Sequence, residues 1–195
     1  MTKKLVVAVD CDDVIISTMP LFLDMYNKTY GTQGELHQVH MFDSDIWGAE
    51  KDVFKQRWFD ITKTSEYKEL VPDPEGVAVL RTLAEKHEIH LVTARKDEEK
   101  AFTQELLRRY VGDIFSSMQF VGWEGSKGSV CQALQADVFI DDLFQHLSSA
   151  YDCGIKNLIW FGGRPWQTED PGDVPVVCCR SWQEVETEIG RITAS

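Results

Sequence analysis

The chain has 195 residues, a formal charge of −12, and 43% hydrophobic and 27% charged residues. That is enough chain for one large domain, or a core with a modest insertion, at an ordinary globular composition. The acidic balance and the lack of a basic stripe argue against recognition of a nucleic-acid backbone, while a small phosphorylated ligand stays open because a bound metal reverses the local field.

The five cysteines, Cys11, Cys131, Cys153, Cys178 and Cys179, show neither C-x-x-C nor zinc-like spacing. They read as reduced thiols of a cytoplasmic protein. Lys3 and Lys4 precede an apolar run that stops at Asp10, too short for a signal-peptide core. No stretch approaches a membrane span. The expectation is a soluble cytoplasmic protein with neither a membrane nor a nucleic-acid partner.

In chain order, Leu5-Val6-Val7-Ala8-Val9 runs straight into Asp10, Cys11, Asp12 and Asp13. A short β-branched run of this kind fits a strand buried on both faces. Cys11 then faces away from Asp10 and Asp12, because neighbours on a strand point to opposite sides. Residues 18–30 and 50–63 carry apolar and aromatic residues at helical spacing, and Gly31 and Gly34 break between them. Pro72 and Pro74 precede a helical pattern at 75–86. Strand candidates at 88–93, 118–121, 137–141, 156–161 and 175–179 alternate with helical patterns at 97–111, 127–135, 143–152 and 181–191. This alternation predicts an α/β fold with a parallel sheet covered on both faces. The 75 or so residues between the first two strands exceed any normal crossover. Residues 17–72 therefore read as a small helical insertion into a core of 1–16 and 73–195. The segment from Gly162 to Gly172 reads as a long loop before the last strand.

Ligands of open parallel sheets bind outside the carboxyl ends of the strands. Strand one ends in Asp10, Asp12 and Asp13, strand two in Thr93-Ala94-Arg95, and strand four in Asp141-Asp142; Lys127 opens the helix before strand four. Topology brings these residues to one edge. Asp10 and Asp12 can divide the labour of nucleophile and general acid–base. Two carboxylates about 4 Å apart repel by roughly 4 kcal/mol at an effective dielectric near 20. Asp10, Asp12, Asp141 and Asp142 together therefore require protonation or a cation, and an all-oxygen set suits Mg²⁺. Thr93 and nearby backbone N–H groups can hold phosphate oxygens, and Lys127 can neutralise charge on a transferring phosphoryl group. Each residue alone is more often a cap, a turn or a surface residue, and Arg95 alone reads as a surface residue or an ion-pair partner. Asp13 reads as a brace for the loop after strand one. The ordered set is what chance does not supply.

That set resembles the phosphatases of the haloacid dehalogenase superfamily. The matching motifs are Asp10-Cys11-Asp12-Asp13-Val14, Thr93, Lys127 and Asp141-Asp142. The resemblance implies a Rossmann-like core with a cap inserted after the first strand. It makes Asp10 the nucleophile of an aspartyl-phosphate and Asp12 the acid–base. It gives Mg²⁺ to Asp10, the backbone carbonyl of Asp12, and one or both of Asp141 and Asp142, with phosphate held by Thr93, Ala94, Arg95 and Lys127. Asp12 favours phosphoryl transfer over dehalogenation.

The helical cap, the Val71-Pro72-Asp73-Pro74-Glu75-Gly76 stretch, the Lys127 environment and Ile140-Asp141-Asp142 are similar to the 5′(3′)-deoxyribonucleotidase branch. The branch implies a nucleoside monophosphate substrate, with cap aromatics beside the base. The candidates are Phe42, Trp47, Trp58 and Phe59, each of which also fits the cap's own core. One departure is Asp13, where many members carry Gly. A phosphatase for a sugar phosphate and a non-catalytic binding protein are the competing readings, and a homodimer is one assembly open to the chain.

Overall fold

The computed structural model describes residues 3–39 and 43–194. Among them, β1 (Val6–Val9), β2 (Glu88–Thr93), β3 (Phe115–Phe120), β4 (Val138–Asp141), β5 (Asn157–Phe161) and β6 (Val176–Cys179) form one parallel sheet. Their order is β3-β2-β1-β4-β5-β6. The chain winds outward on one side of β1 and then returns to its other side at β4. The strand order thus reverses between β1 and β4, where crevices form in such sheets.

Alternation along the strands divides the core into two layers. Val7, Val9, Leu91 and Ile140 belong to a cluster with α5 (Pro74–Ala84), α6 (Asp97–Tyr110) and α9 (Trp182–Ala194). Ala8, Val92, Phe139 and Leu158 face α7 (Lys127–Ala133) and α8 (Phe144–Asp152). Cys11 is fully buried on the Val7–Val9 side, which leaves Asp10 on the side of α7.

Between β1 and α5 lie the helices α1 (Met19–Tyr30), α2 (Ser44–Trp47), α3 (Lys51–Thr62) and α4 (Ser65–Lys68). Pro20 starts α1, and Gly31, at φ +69°, ends it. The short α2 and α4 escape helical periodicity. They form because Asp43 and Thr64 cap them, accepting from the Asp45 and Tyr67 N–H groups. These helices have a hydrophobic cluster of their own, built on Phe22, Tyr26, Trp47, Phe54, Ile61 and Tyr67. The chain leaves and re-enters the core side by side: the Asp73 N–H donates to the Ile15 carbonyl at 2.9 Å.

β3 begins three residues before the expected position. Phe115-Ser116-Ser117 lacks an apolar run, yet Ser117 pairs with His90 of β2, and its hydroxyl lies 2.8 Å from His90 Nδ1. An edge strand with polar partners of this kind does not announce itself by hydrophobicity.

Asp73 caps α5, accepting from the Glu75 N–H at 2.9 Å, with Pro74 in the first turn. Gly76 follows because Trp182 of α9 lies against it: a Cβ there would sit 2.5 Å from Trp182 Nε1. Gly76→Ala should therefore cost about 1–3 kcal/mol of stability through overpacking, despite alanine's better helix propensity. Urea unfolding checks this, and an unchanged midpoint would contradict the close α5–α9 packing.

Candidate active site

The centre of the site is a buried cation between two carboxylates. Ser126 caps α7, its hydroxyl accepting from the Ser129 N–H at 3.1 Å, so the helix opens on Lys127. Gly128 lets α7 lie against α8, since a Cβ at that position would be 2.5 Å from the Ser149 carbonyl oxygen. Lys127 Nζ lies 2.7 Å from Asp10 Oδ2 and donates to Asp141 Oδ2 at 2.8 Å. Lys127 is 1% exposed. The other oxygens are also engaged: Asp10 Oδ1 accepts from the Cys11 N–H at 2.7 Å, and Asp141 Oδ1 from the Leu143 N–H at 2.8 Å.

Asp142 joins this pair. Carboxylate oxygens of Asp10, Asp141 and Asp142 all lie within 4.8 Å of one another, and all three residues are buried. Burial pushes the Asp10 carboxyl up to about 7, against the pull of Lys127 and with the help of Asp141 and Asp12. Burial, then the charges of Asp13, Asp141 and Asp10, hold Asp142 well above the usual carboxylate range. Burial opposes the charge on Lys127, but Asp10 and Asp141 outweigh it and keep the ammonium protonated. One lysine does not balance three crowded carboxylates. A hard divalent cation with oxygen ligands fits this donor set and would relieve the repulsion.

Asp12 is placed differently. Arg95 grips its carboxylate with two bonds, Nε to Oδ2 at 2.9 Å and Nη2 to Oδ1 at 2.7 Å. The Thr18 hydroxyl donates to Oδ1 at 2.5 Å. Burial raises the Asp12 pKa, but the Arg95 charge and these hydrogen bonds bring it below the usual value. Arg95 itself is 3% exposed, donates to Thr103 Oγ1 at 2.9 Å, and lies 6.0 Å from the Tyr67 ring of α4. Thr93, at the end of β2, is fully buried, and its hydroxyl accepts from the Arg95 N–H at 3.1 Å. Ala94 is half-buried between them. Asp13 stands at φ +54°. Its carboxylate accepts from the Thr18 and Met19 N–H groups and so braces the start of α1.

Of the four aromatic residues singled out in the sequence, Phe42 lies outside the described residues. Trp47 is 1% exposed and packs on Phe22, Tyr26 and Phe54 inside the inserted helices. Trp58 and Phe59 are half-buried and meet Trp123, in the loop after β3. The Phe59 and Trp123 rings are 6.1 Å apart and 18° from parallel. Lys96 Nζ is 4.1 Å from the Phe59 ring and 4.5 Å from the Trp123 ring. A cleft of about 350 Å³ opens beside Lys96, Trp123, Lys55 and Phe120; none of the site carboxylates lines it.

Sequence reasoning did not find Thr18, Lys96, Trp123 or Gln167. Lys96 and Trp123 had a signal: they follow the ends of β2 and β3, where the sheet presents its site. Gln167 had none beyond its place in a long loop.

A parallel sheet of this order, with a nucleophile-capable Asp after β1, a Thr after β2, a Lys opening α7 and an Asp pair after β4, defines a phosphohydrolase of the haloacid dehalogenase class. The sequence profile described as "5' nucleotidase, deoxy (Pyrimidine), cytosolic type C protein" matches residues 4–194, and the chain belongs to that family of hydrolases. No curated protein matches it by sequence.

Solved structures match the fold over nearly its whole length. A haloacid dehalogenase-like hydrolase from Streptococcus pneumoniae superposes with TM-score 0.72 at 13% identity, covering 95% of this chain and 98% of its own. YfnB from Bacillus subtilis, assigned to the HAD hydrolases and solved with magnesium bound, gives 0.67 at 10% identity, covering 96% and 99%. CbbY from Rhodobacter sphaeroides, solved with xylulose-1,5-bisphosphate, gives 0.61 at 12% identity, covering 92% and 95%.

The buried cation yields a direct expectation. Lys127→Met removes the partner of two buried carboxylates and should lower stability by about 3–5 kcal/mol in chelator-treated protein. Denaturant unfolding measures it, and a loss under about 1 kcal/mol would mean that Asp10 and Asp141 do not depend on Lys127.

Proposed function

We propose that this phosphatase is a divalent-cation-dependent enzyme that hydrolyses (deoxy)nucleoside 5′-monophosphates through an aspartyl-phosphate on Asp10. The observation that carries this reading is the packing of Asp10, Asp141 and Asp142 oxygens within 4.8 Å of one another, with one lysine bonded to two of the three. The reading places the cation on Asp10, Asp141, Asp142 and the backbone carbonyl of Asp12, with Mg²⁺ the natural choice. Held there, it would supply neutralising charge for an incoming phosphate.

The chain's own groups then divide the work. An Asp10 oxygen attacks phosphorus and the P–O bond to the nucleoside breaks; the proton that the phosphate monoanion brings passes to Asp12 as the phosphate draws Arg95 away, and Asp12 gives it to the departing oxygen. In the second step Asp12 takes a proton from water. The water oxygen bonds to phosphorus, and the bond to Asp10 breaks to release phosphate. Lys127 and the Thr93 hydroxyl, with Ala94 beside it, hold the phosphoryl oxygens. Arg95 holds Asp12 ionised in the absence of substrate, and an arriving phosphate competes for the same guanidinium.

Residues 17–72 act as the cap in this reading. Phe59 and Trp58 of α3 pack on Trp123 in the loop after β3, so aromatic rings join the cap to the core, which supports a base rather than an open-chain sugar. CbbY, bound to a sugar bisphosphate, shares the fold and marks the alternative substrate class. The family's description and the five free thiols support a cytosolic site of action.

The test is phosphate release from an aryl phosphate, from deoxy- and ribonucleoside monophosphates and from sugar phosphates, with and without Mg²⁺. Nucleotides should be preferred and Mg²⁺ required. Asp10→Asn should cut turnover by at least about 10³-fold while the circular dichroism spectrum is kept. Normal turnover in that variant would end the nucleophile assignment, and a preference for sugar phosphates would end the nucleotide one. Arg95→Met should raise KM for phosphate esters about tenfold, the scale of one charged hydrogen bond. An unchanged KM would confine Arg95 to Asp12.

A further inference from the structure

The segment from Gly162 to Gln167 leaves β5 at the same sheet edge as the site and touches two of its backbone carbonyls. Gln167 Nε2 donates to the Asp142 carbonyl at 2.6 Å and to the Phe161 carbonyl at 3.0 Å. Its Oε1 accepts from the Arg164 N–H at 3.1 Å, so both ends of the amide are used. Trp160 Nε1 donates to the same Asp142 oxygen at 2.8 Å. Arg164 Nη2 donates to the Asp13 carbonyl at 2.9 Å.

Trp166, next to Gln167, points elsewhere. Trp166 is 6% exposed and belongs to the hydrophobic cluster of the inserted helices, with Phe22, Trp47 and Phe54. Adjacent side chains of one loop therefore hold the backbone of a proposed cation ligand and the body of the inserted helices. Gly163, at φ +86°, lets the chain turn between β5 and this contact.

We propose that residues 162–167 form a strap that couples the inserted helices to the Asp141–Asp142 loop, with Gln167 as the positioning residue for Asp142. The proposal rests on the cation site of the reading above. The Asp142 carboxylate takes its direction from a backbone whose carbonyl is fixed by Trp160 and Gln167. Removing one of those two donors loosens the ligand without touching it. A displacement of the inserted helices reaches Asp142 through Trp166 and the next residue, Gln167.

The experiment is calorimetric titration of Mg²⁺ into the full chain, without substrate, for wild type, Gln167→Ala, Trp166→Phe, Trp166→Ala and the double variant Trp166→Ala/Gln167→Ala. Loss of an outer contact behind a metal ligand commonly weakens affinity about 10- to 100-fold. Gln167→Ala should weaken Mg²⁺ binding about tenfold with little change in the melting temperature. Trp166→Ala should weaken it in the same direction, and Trp166→Phe less. The double variant should lose less than the product of the two single losses, because both act through one contact.

Unchanged affinity in Gln167→Ala overturns the strap and leaves the phosphatase reading intact. A lower melting temperature in the Trp166 variants with unaltered Mg²⁺ affinity also overturns it, because that is what packing alone does. Wild-type protein that binds no Mg²⁺ removes the cation site and the strap together.

Discussion

Lys127 carries the constraint on which the rest of the site depends. Its ammonium lies within 2.8 Å of carboxylates delivered by two neighbouring strands, Asp10 after β1 and Asp141 at the end of β4. Buried carboxylates this close repel strongly, and the fold tolerates them only with compensating charge. The sheet order places them there, the Gly128–Ser149 approach brings α7 close enough to compensate them, and Asp142 leaves a deficit that a divalent cation can fill. Charge and crowding therefore share one origin: the strand order that brings these carboxylates to one edge also sets them against one another.

Arg95 sets a second level of control. It takes Asp12 out of the carboxylate cluster and ties it to Thr18 at the entry to α1. The two halves of the D-x-D motif thus sit in different electrostatic surroundings. Burial leaves Asp10 poorly compensated, while Arg95 keeps Asp12 ionised. Carboxylates two residues apart become chemically distinct through the cations that face them rather than through their own type.

Much of the architecture was legible in the chain. Val6–Val9 is short, β-branched and followed by acids, and it could hardly be anything but a central strand. The alternation of strand and helix after residue 74 then dictated a parallel sheet. The motif residues could be read because topology sends strand ends to one edge. What escaped was decided by tertiary contact. β3 starts early because Ser117 pairs with His90, which no hydrophobic pattern announces. Arg95 turns to Asp12 across 83 residues of sequence. Trp166 looked like a loop residue and is part of the core of the inserted helices. Trp47 carried the same aromatic signal as Phe59, and only packing separates a core ring from one at the domain edge.

The hydrogen bond from the Asp73 N–H to the Ile15 carbonyl means that the chain leaves the core and returns to it at one point. Everything between those residues is a closed loop on the core, and lengthening such a loop adds only a logarithmic entropic cost. Closure entropy therefore sets almost no limit on the length of the inserted segment, and Trp166, seated among its aromatic residues, is a contact that ties it back to the core. With both crossings at one seam, the segment between Ile15 and Asp73 could be excised or replaced by rejoining the chain at a single place.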